Sequence, residues 1–145
     1  MSKIVVENIK DQLNQKKAFE IRNLVFCKEQ NVSKTIEFDG LDKFCYHFIA
    51  KIDNLPIGTA RVRKKDQGIY KIERMAVLKE YRMKGVGRAI IKEILNQFIV
   101  KNKKIDLVLN SQIDAKDFYK KFGFVEVGKE FIEADIRHIK MFYSN

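Results

Sequence analysis

The sequence predicts one α/β domain built around a single twisted, mixed sheet flanked by helices, and three observations carry that prediction. The 145 residues, 46% hydrophobic and 33% charged, are one domain's worth and can bury a core, with no internal repeat or low-complexity tract. Segments with a period of two alternate with segments with a period near 3.6, in the order β, α, β, β, β, α, β, α, β, β. In the middle of the chain a strand-like run, residues 72–77, leads through Arg82-Met83-Lys84-Gly85-Val86-Gly87 directly into an amphipathic, helix-like run. The domain takes in residues 1–145.

In chain order, Ile4-Val5-Val6 reads as a short first strand, and a helix follows over residues 11–27 with Ala18, Ile21, Leu24 and Val25 on one face. Residues 31–44 read as a polar loop that turns at Asp39-Gly40 and gathers Glu37, Asp39 and Asp42. Residues 45–52 and 57–64 form a hairpin around Asp53-Asn54-Leu55-Pro56. The central strand, 69–77, places Glu73, Met75 and Val77 on one face and Ile72, Arg74 and Ala76 on the other. In the next helix Ile90, Ile91, Ile94, Leu95 and Phe98 make an apolar stripe. Residues 105–110 read as a buried strand and 115–122 as a short helix closed by Gly123. The last strands are 124–127 and 136–143, with an acidic loop, 131–135, between them.

Composition narrows the function classes. No stretch approaches the roughly 18 uncharged apolar residues that span a bilayer, and MSKIVVENIK lacks the apolar core of a signal peptide, so a cytoplasmic protein with no membrane partner is expected. Cys27 and Cys45 are then expected to be reduced. With His47 and His138 the only histidines and no cysteine pair at ligand spacing, no metal site is expected. The net charge of +10 suits nucleic acid, an anionic membrane or an anionic small molecule. The lysines are dispersed, with short clusters at 16–17, 64–65, 103–104 and 120–121, and the aromatics read as core. Both features argue against a nucleic-acid footprint, which concentrates charge and interleaves it with aromatics.

The glycine loop carries the chemistry. Glycines at 85 and 87 permit a tight turn whose amides, with those of the first helical turn, have no internal partner; Arg82, Lys84 and Arg88 add full charges to the helix dipole. A pyrophosphate site and a plain strand-to-helix turn both fit this spacing. A Walker A loop does not, because Arg88 and Ala89 follow Gly87, and a dinucleotide fingerprint does not, because Ile90 stands where a small residue is needed.

Arg82-x-x-Gly85-x-Gly87, with IERMAV before it and AKDFYKKFGF (115–124) after it, resembles the acetyl-CoA signature of the GNAT acetyltransferase superfamily. IRNLVFCKEQ, EFDGLDKFCYHFIA and GKEFIEADIRHIKMF extend the likeness to the ElaA- and YjcF-like subgroup, so that it covers nearly the whole chain. The resemblance implies a mostly antiparallel sheet whose fourth and fifth strands splay to admit pantetheine, and an acetyl-CoA-dependent N-acetyltransferase in which a neutral amine attacks the thioester directly. It implies acetyl-CoA binding by Met75, Ala76, Val77, Arg82, Met83, Lys84, Gly85, Val86, Gly87, Arg88, Asn110, Phe118 and Tyr119. Tyr119 would protonate the departing thiolate, and Glu73 would be the base, through water, with His138 the second candidate. Gln30, Glu37, Asp39, His47 and His138 would face the acceptor; the acidic loops lean toward a small cationic amine. Arg22 and Glu29 match recurrent positions of the subgroup and could equally be a surface ion pair. Many relatives dimerise, which makes a homodimer an expectation. The alternatives from other classes are a small basic nucleic-acid-binding domain and a CoA-binding fold without catalysis.

Overall fold

Period-two segments become seven strands among the residues that the computed structural model describes, 3–102 and 104–143; Lys103 of the short lysine pair falls outside them. The strands are β1 (Ile4–Asn8), β2 (Cys45–Ile52), β3 (Leu55–Asp66), β4 (Ile69–Val77), β5 (Asp106–Gln112), β6 (Phe124–Glu133) and β7 (Ile136–Tyr143). They form one sheet in the order β1-β2-β3-β4-β5-β7-β6, antiparallel throughout except where β4 and β5 run parallel. The helices are α1 (Gln12–Arg22), α2 (Lys34–Glu37), α3 (Val86–Leu95) and α4 (Lys116–Lys120).

The α3 stripe supplies the main core. Val86, Ile90, Ile91 and Ile94, with Phe98 beyond them, bury against Phe48, Ala60, Val62, Ile72, Leu109 and Met141 of the sheet. Gly58 in β3 permits this close approach, since a Cβ there would stand 2.9 Å from Cγ1 of Val86. On the opposite face Ile21 and Val25 cover Ala76.

Several boundaries differ from the sequence reading, each for a local reason. Asp11 caps α1, accepting from the amide of Asn14 at 2.8 Å, but after Arg22 the helix widens into a π-wound segment, Asn23–Glu29. The wider winding breaks the 3.6 period, so Leu24 is 48% exposed while Ala18, Ile21 and Val25 stay buried. The 31–44 loop contains α2, capped by Ser33. The hairpin's second strand starts at Leu55, and β6 continues through an irregularity between Val127 and Phe131 to Glu133, so most of the expected acidic loop is strand. Only Ala134 and Asp135, both with positive φ, form the turn into β7.

The alternation expected along β4 does not hold. Glu73 pairs with Arg61 and Ala76 with Thr59, so Arg74 and Met75 together oppose Ala60, and Arg74 sits at φ 58°. This is a β-bulge. It leaves Glu73 with Arg61 on the α1 side while Met75 and Val77 join Ile72 in the α3-side core.

Candidate active site

Pairing of β4 with β5 runs only from Ile69–Asp106 to Ile72–Leu109, and beyond it the strands part. The cleft that opens there has a volume of about 700 Å³ and is lined by the bulged end of β4, the glycine turn, the end of β5, Phe118 and Tyr119 of α4, the end of the α1 segment and His138.

The α3 wall is built from backbone. Gly85 takes φ 86° to start α3, and among the described residues no side chain caps the helix, so the amides of its first turn have no capping partner. At Gly87 a Cβ would stand 3.1 Å from Cζ of Phe118, so the ring lies directly against the bare turn. Lys84 places its ammonium 5.7 Å from the Tyr81 ring, and Met83 is fully exposed. Arg82 departs from the expectation that its charge surrounds the turn. Its Nε donates to the Val77 carbonyl at 2.9 Å and its two Nη atoms to Glu29 at 2.6 and 2.7 Å. Arg82 is thus a strut joining the end of β4 to the α1 segment, and Glu29 pairs with it rather than with Arg22. Its hydrogen bonds hold the Glu29 carboxyl below its ordinary value.

The α1 wall is built from ion pairs. Arg22, buried, donates to Glu37 at 2.8 Å and Asp42 at 2.7 Å. Arg61, 0% exposed, binds Asp39 at 2.7 Å, Asp42 at 2.9 Å and Glu73 at 3.1 Å. Arg74 reaches Glu37 and Asp39, each at 3.2 Å. Glu73 also accepts from Arg63 at 2.9 Å and lies 3.3 Å from Lys71. Each loop carboxylate therefore already has two arginine partners that compete with any cationic ligand, although Asp39 stays exposed to solvent. Arg61 is the residue that sequence reasoning missed; in an alternating strand nothing marks a buried arginine except the acidic loop that meets it.

These pairs change two expected roles. Burial alone would raise the Glu73 carboxyl, but hydrogen bonding to Arg63 and the charges of Arg61 and Lys71 outweigh it and hold it at about 2. Such a group is a poor acceptor of an amine proton at neutral pH. His47 does not reach the cleft. It donates from Nε2 to the Asp42 carbonyl at 2.9 Å, packs edge-on against Phe19, and burial lowers its pKa. Glu37 lines the cleft, with burial as the main cause raising its pKa against Arg74 and Arg22, whereas Asp39 lies behind Arg61 and Arg74.

Other expected residues do meet in the cleft. His138, 7% exposed, lies 2.7 Å through Nδ1 from the Ile136 carbonyl. A carbonyl only accepts, so Nδ1 carries a proton, and Nε2 lies 3.8 Å from Glu133. The ring stacks on Phe131 with centroids 5.8 Å apart. Gln30 accepts from Gln112 at 3.0 Å, so this amide pair spans from the α1 segment to the end of β5. Asn110 stands on the same strand. Tyr119 is 8% exposed, and burial pushes its phenol up, so it holds its proton through neutral pH.

Residues 9–144 match the family described as "Acetyltransferase (GNAT) domain". The uncharacterized N-acetyltransferase YjcF of Bacillus subtilis (strain 168) is 40% identical over 140 residues, covering 96% of this chain and 97% of that protein. Two solved structures share the fold. One is Escherichia coli ElaA, with TM-score 0.83, 23% identity and coverage of 99% of this chain and 100% of that one. The other is a GNAT family acetyltransferase from Elizabethkingia anophelis with acetyl-CoA bound, with TM-score 0.70, 19% identity and coverage of 96% and 94%.

Proposed function

The chain belongs to the acetyltransferase (GNAT) family, and we propose that it moves the acetyl group of acetyl-CoA to the primary amine of a small acceptor, with both substrates held together in the split between β4 and β5. The observation that carries this reading is continuity. A bare-amide turn, the unpaired edge of a split strand, a buried tyrosine and a buried histidine all line one cleft of about 700 Å³. That such a fold elsewhere holds acetyl-CoA supports the assignment.

Acetyl-CoA, when bound, supplies an activated acyl carbon and a thiol leaving group. The amides of Val86, Gly87 and Arg88, aided by Lys84 and Arg88, suit its pyrophosphate, and Gly87 leaves them reachable beneath Phe118. Past Ile72 the β5-facing edge of Met75, Ala76 and Val77 has no strand neighbour among the described residues and is available to an extended, amide-bearing arm. Asn110 and Phe118 complete the walls.

The acceptor amine must lose a proton, and His138 is the base in this reading. His138 lines the cleft, and Glu133, 3.8 Å from its Nε2, stabilises the imidazolium that forms. Tyr119, still protonated, donates to the departing sulfur. Glu73 takes neither role; its fixed negative charge holds Arg61, Arg63 and Lys71 in place.

Isothermal titration with acetyl-CoA tests the reading, with the double variant Gly85→Asp, Gly87→Asp alongside. Micromolar binding that the variant loses is the expected result, and no binding by the native protein would overturn it.

A further inference from the structure

On the premise that the protein is an acetyltransferase, the side-chain amides beside the proposed base have hydrogen-bonding capacity to spare. Gln112, the last residue of β5, is the register partner of His138 on β7. Directly opposed residues of an antiparallel pair project from the same face, with Cβ atoms about 5 Å apart. That face is the α1 side, because Leu107, Leu109, Ile139 and Met141, of the opposite parity along the two strands, lie in the α3-side core. Both Gln112 and His138 line the cleft. Gln112 donates from Nε2 to Oε1 of Gln30 at 3.0 Å, but the return contact to its own Oε1 is 3.5 Å, at the limit of a hydrogen bond. A carbonyl oxygen accepts two bonds, so Gln112 Oε1 retains a lone pair for another donor. The amide is also held in place without a ligand. Glu29 binds Arg82 on the β4 side of the split, while the next residue, Gln30, binds Gln112 on the β5 side.

We infer that Gln112 binds the acceptor nitrogen and makes the site selective for a primary amine. Gln112 and His138 address the split from one face of the sheet, and Tyr119, in the α3-side core, from the other. A neutral primary amine has two N–H groups and one lone pair. One N–H donates to Gln112 Oε1 and the other to His138, which leaves the lone pair to face the split. The nitrogen then bonds to the acetyl carbon, one of its protons passes to His138, and Tyr119 gives its proton to the sulfur as the C–S bond breaks. The products are the N-substituted acetamide and the thiol, and His138 and Tyr119 exchange protons with solvent to return to their starting states. A secondary amine has a single N–H and must leave Gln112 or His138 without a partner.

The test uses the full chain, with acetyl-CoA binding established first by titration. Thiol release is then followed with butylamine, phenethylamine and glucosamine, each beside its N-methyl counterpart. Gln112→Leu should lower kcat/KM about tenfold for a primary amine and less than about threefold for its N-methyl counterpart, with KM for acetyl-CoA unchanged. Gln112→Glu keeps an acceptor oxygen at the same reach and should restore most of the loss. In the CoA-bound native protein, the primary amine should shift the Gln112 side-chain amide signals in an NMR titration. An equal fall for both amines or no fall for either overturns the inference. So does a loss that Gln112→Glu fails to restore, and so do Gln112 signals that stay unmoved at saturation. Failure to bind acetyl-CoA, or thiol release from none of the primary amines, defeats instead the acetyltransferase reading on which the inference rests.

Discussion

On the α3 side of the cleft the chain leaves groups bare, with an uncapped helix turn and a glycine facing Phe118. On the α1 side it satisfies nearly everything, and buried arginines close on carboxylates from one loop and a strand. The first wall awaits a ligand whose charge supplies what the backbone lacks. The second is preorganised without a ligand, its charges already paired with one another. On the proposed reading, one cleft thus joins the acetyl-CoA end to the acceptor end.

Removing the chemistry at the junction of the two walls should have the largest effect. Tyr119→Phe is expected to lower kcat about 10²- to 10⁴-fold in a thiol-release assay, and His138→Gln about 10²-fold, with KM for acetyl-CoA little changed in either. Equal activity in Tyr119→Phe would move the proton donor elsewhere.

Next comes the ionic wall. Glu73→Gln strands Arg61, Arg63 and Lys71 without their shared carboxylate and should cost about 3–5 kcal/mol in denaturant unfolding. The sign of its pH dependence follows from the lowered value. Glu73 contributes fully above its ordinary value of 4.5, and the contribution falls away as pH drops toward about 2. The native protein should therefore lose stability across that window more steeply than the variant.

How much of this was legible in the sequence follows the same division. The turn at Gly85 and Gly87, the stripe from Ile90 to Phe98 and the aromatic helix around Tyr119 are local patterns, and the structure places them in the core and the cleft as read. The ionic wall joins Arg22, Arg61 and Arg74 to carboxylates 12 to 37 residues away, and no local period encodes such pairings. The same is true of the bulge at Arg74, which reverses the faces beyond Glu73 without a glycine to announce it. Leu24 was misplaced because a π-wound segment keeps a helical composition while changing the period.

Smaller perturbations sharpen the contrast. Gly87→Ala forces Phe118 to yield by a few tenths of an ångström and should weaken acetyl-CoA binding roughly three- to tenfold, read by titration. Glu29→Gln removes a pair whose members are about one-third exposed, so thermal unfolding should report a loss below about 1 kcal/mol.

The most direct test of the bare-turn claim is a backbone amide NMR titration with CoA. The account predicts that the largest shifts fall on Val86, Gly87 and Arg88, at the uncapped start of α3. Saturable binding that leaves these three amides unmoved would contradict it.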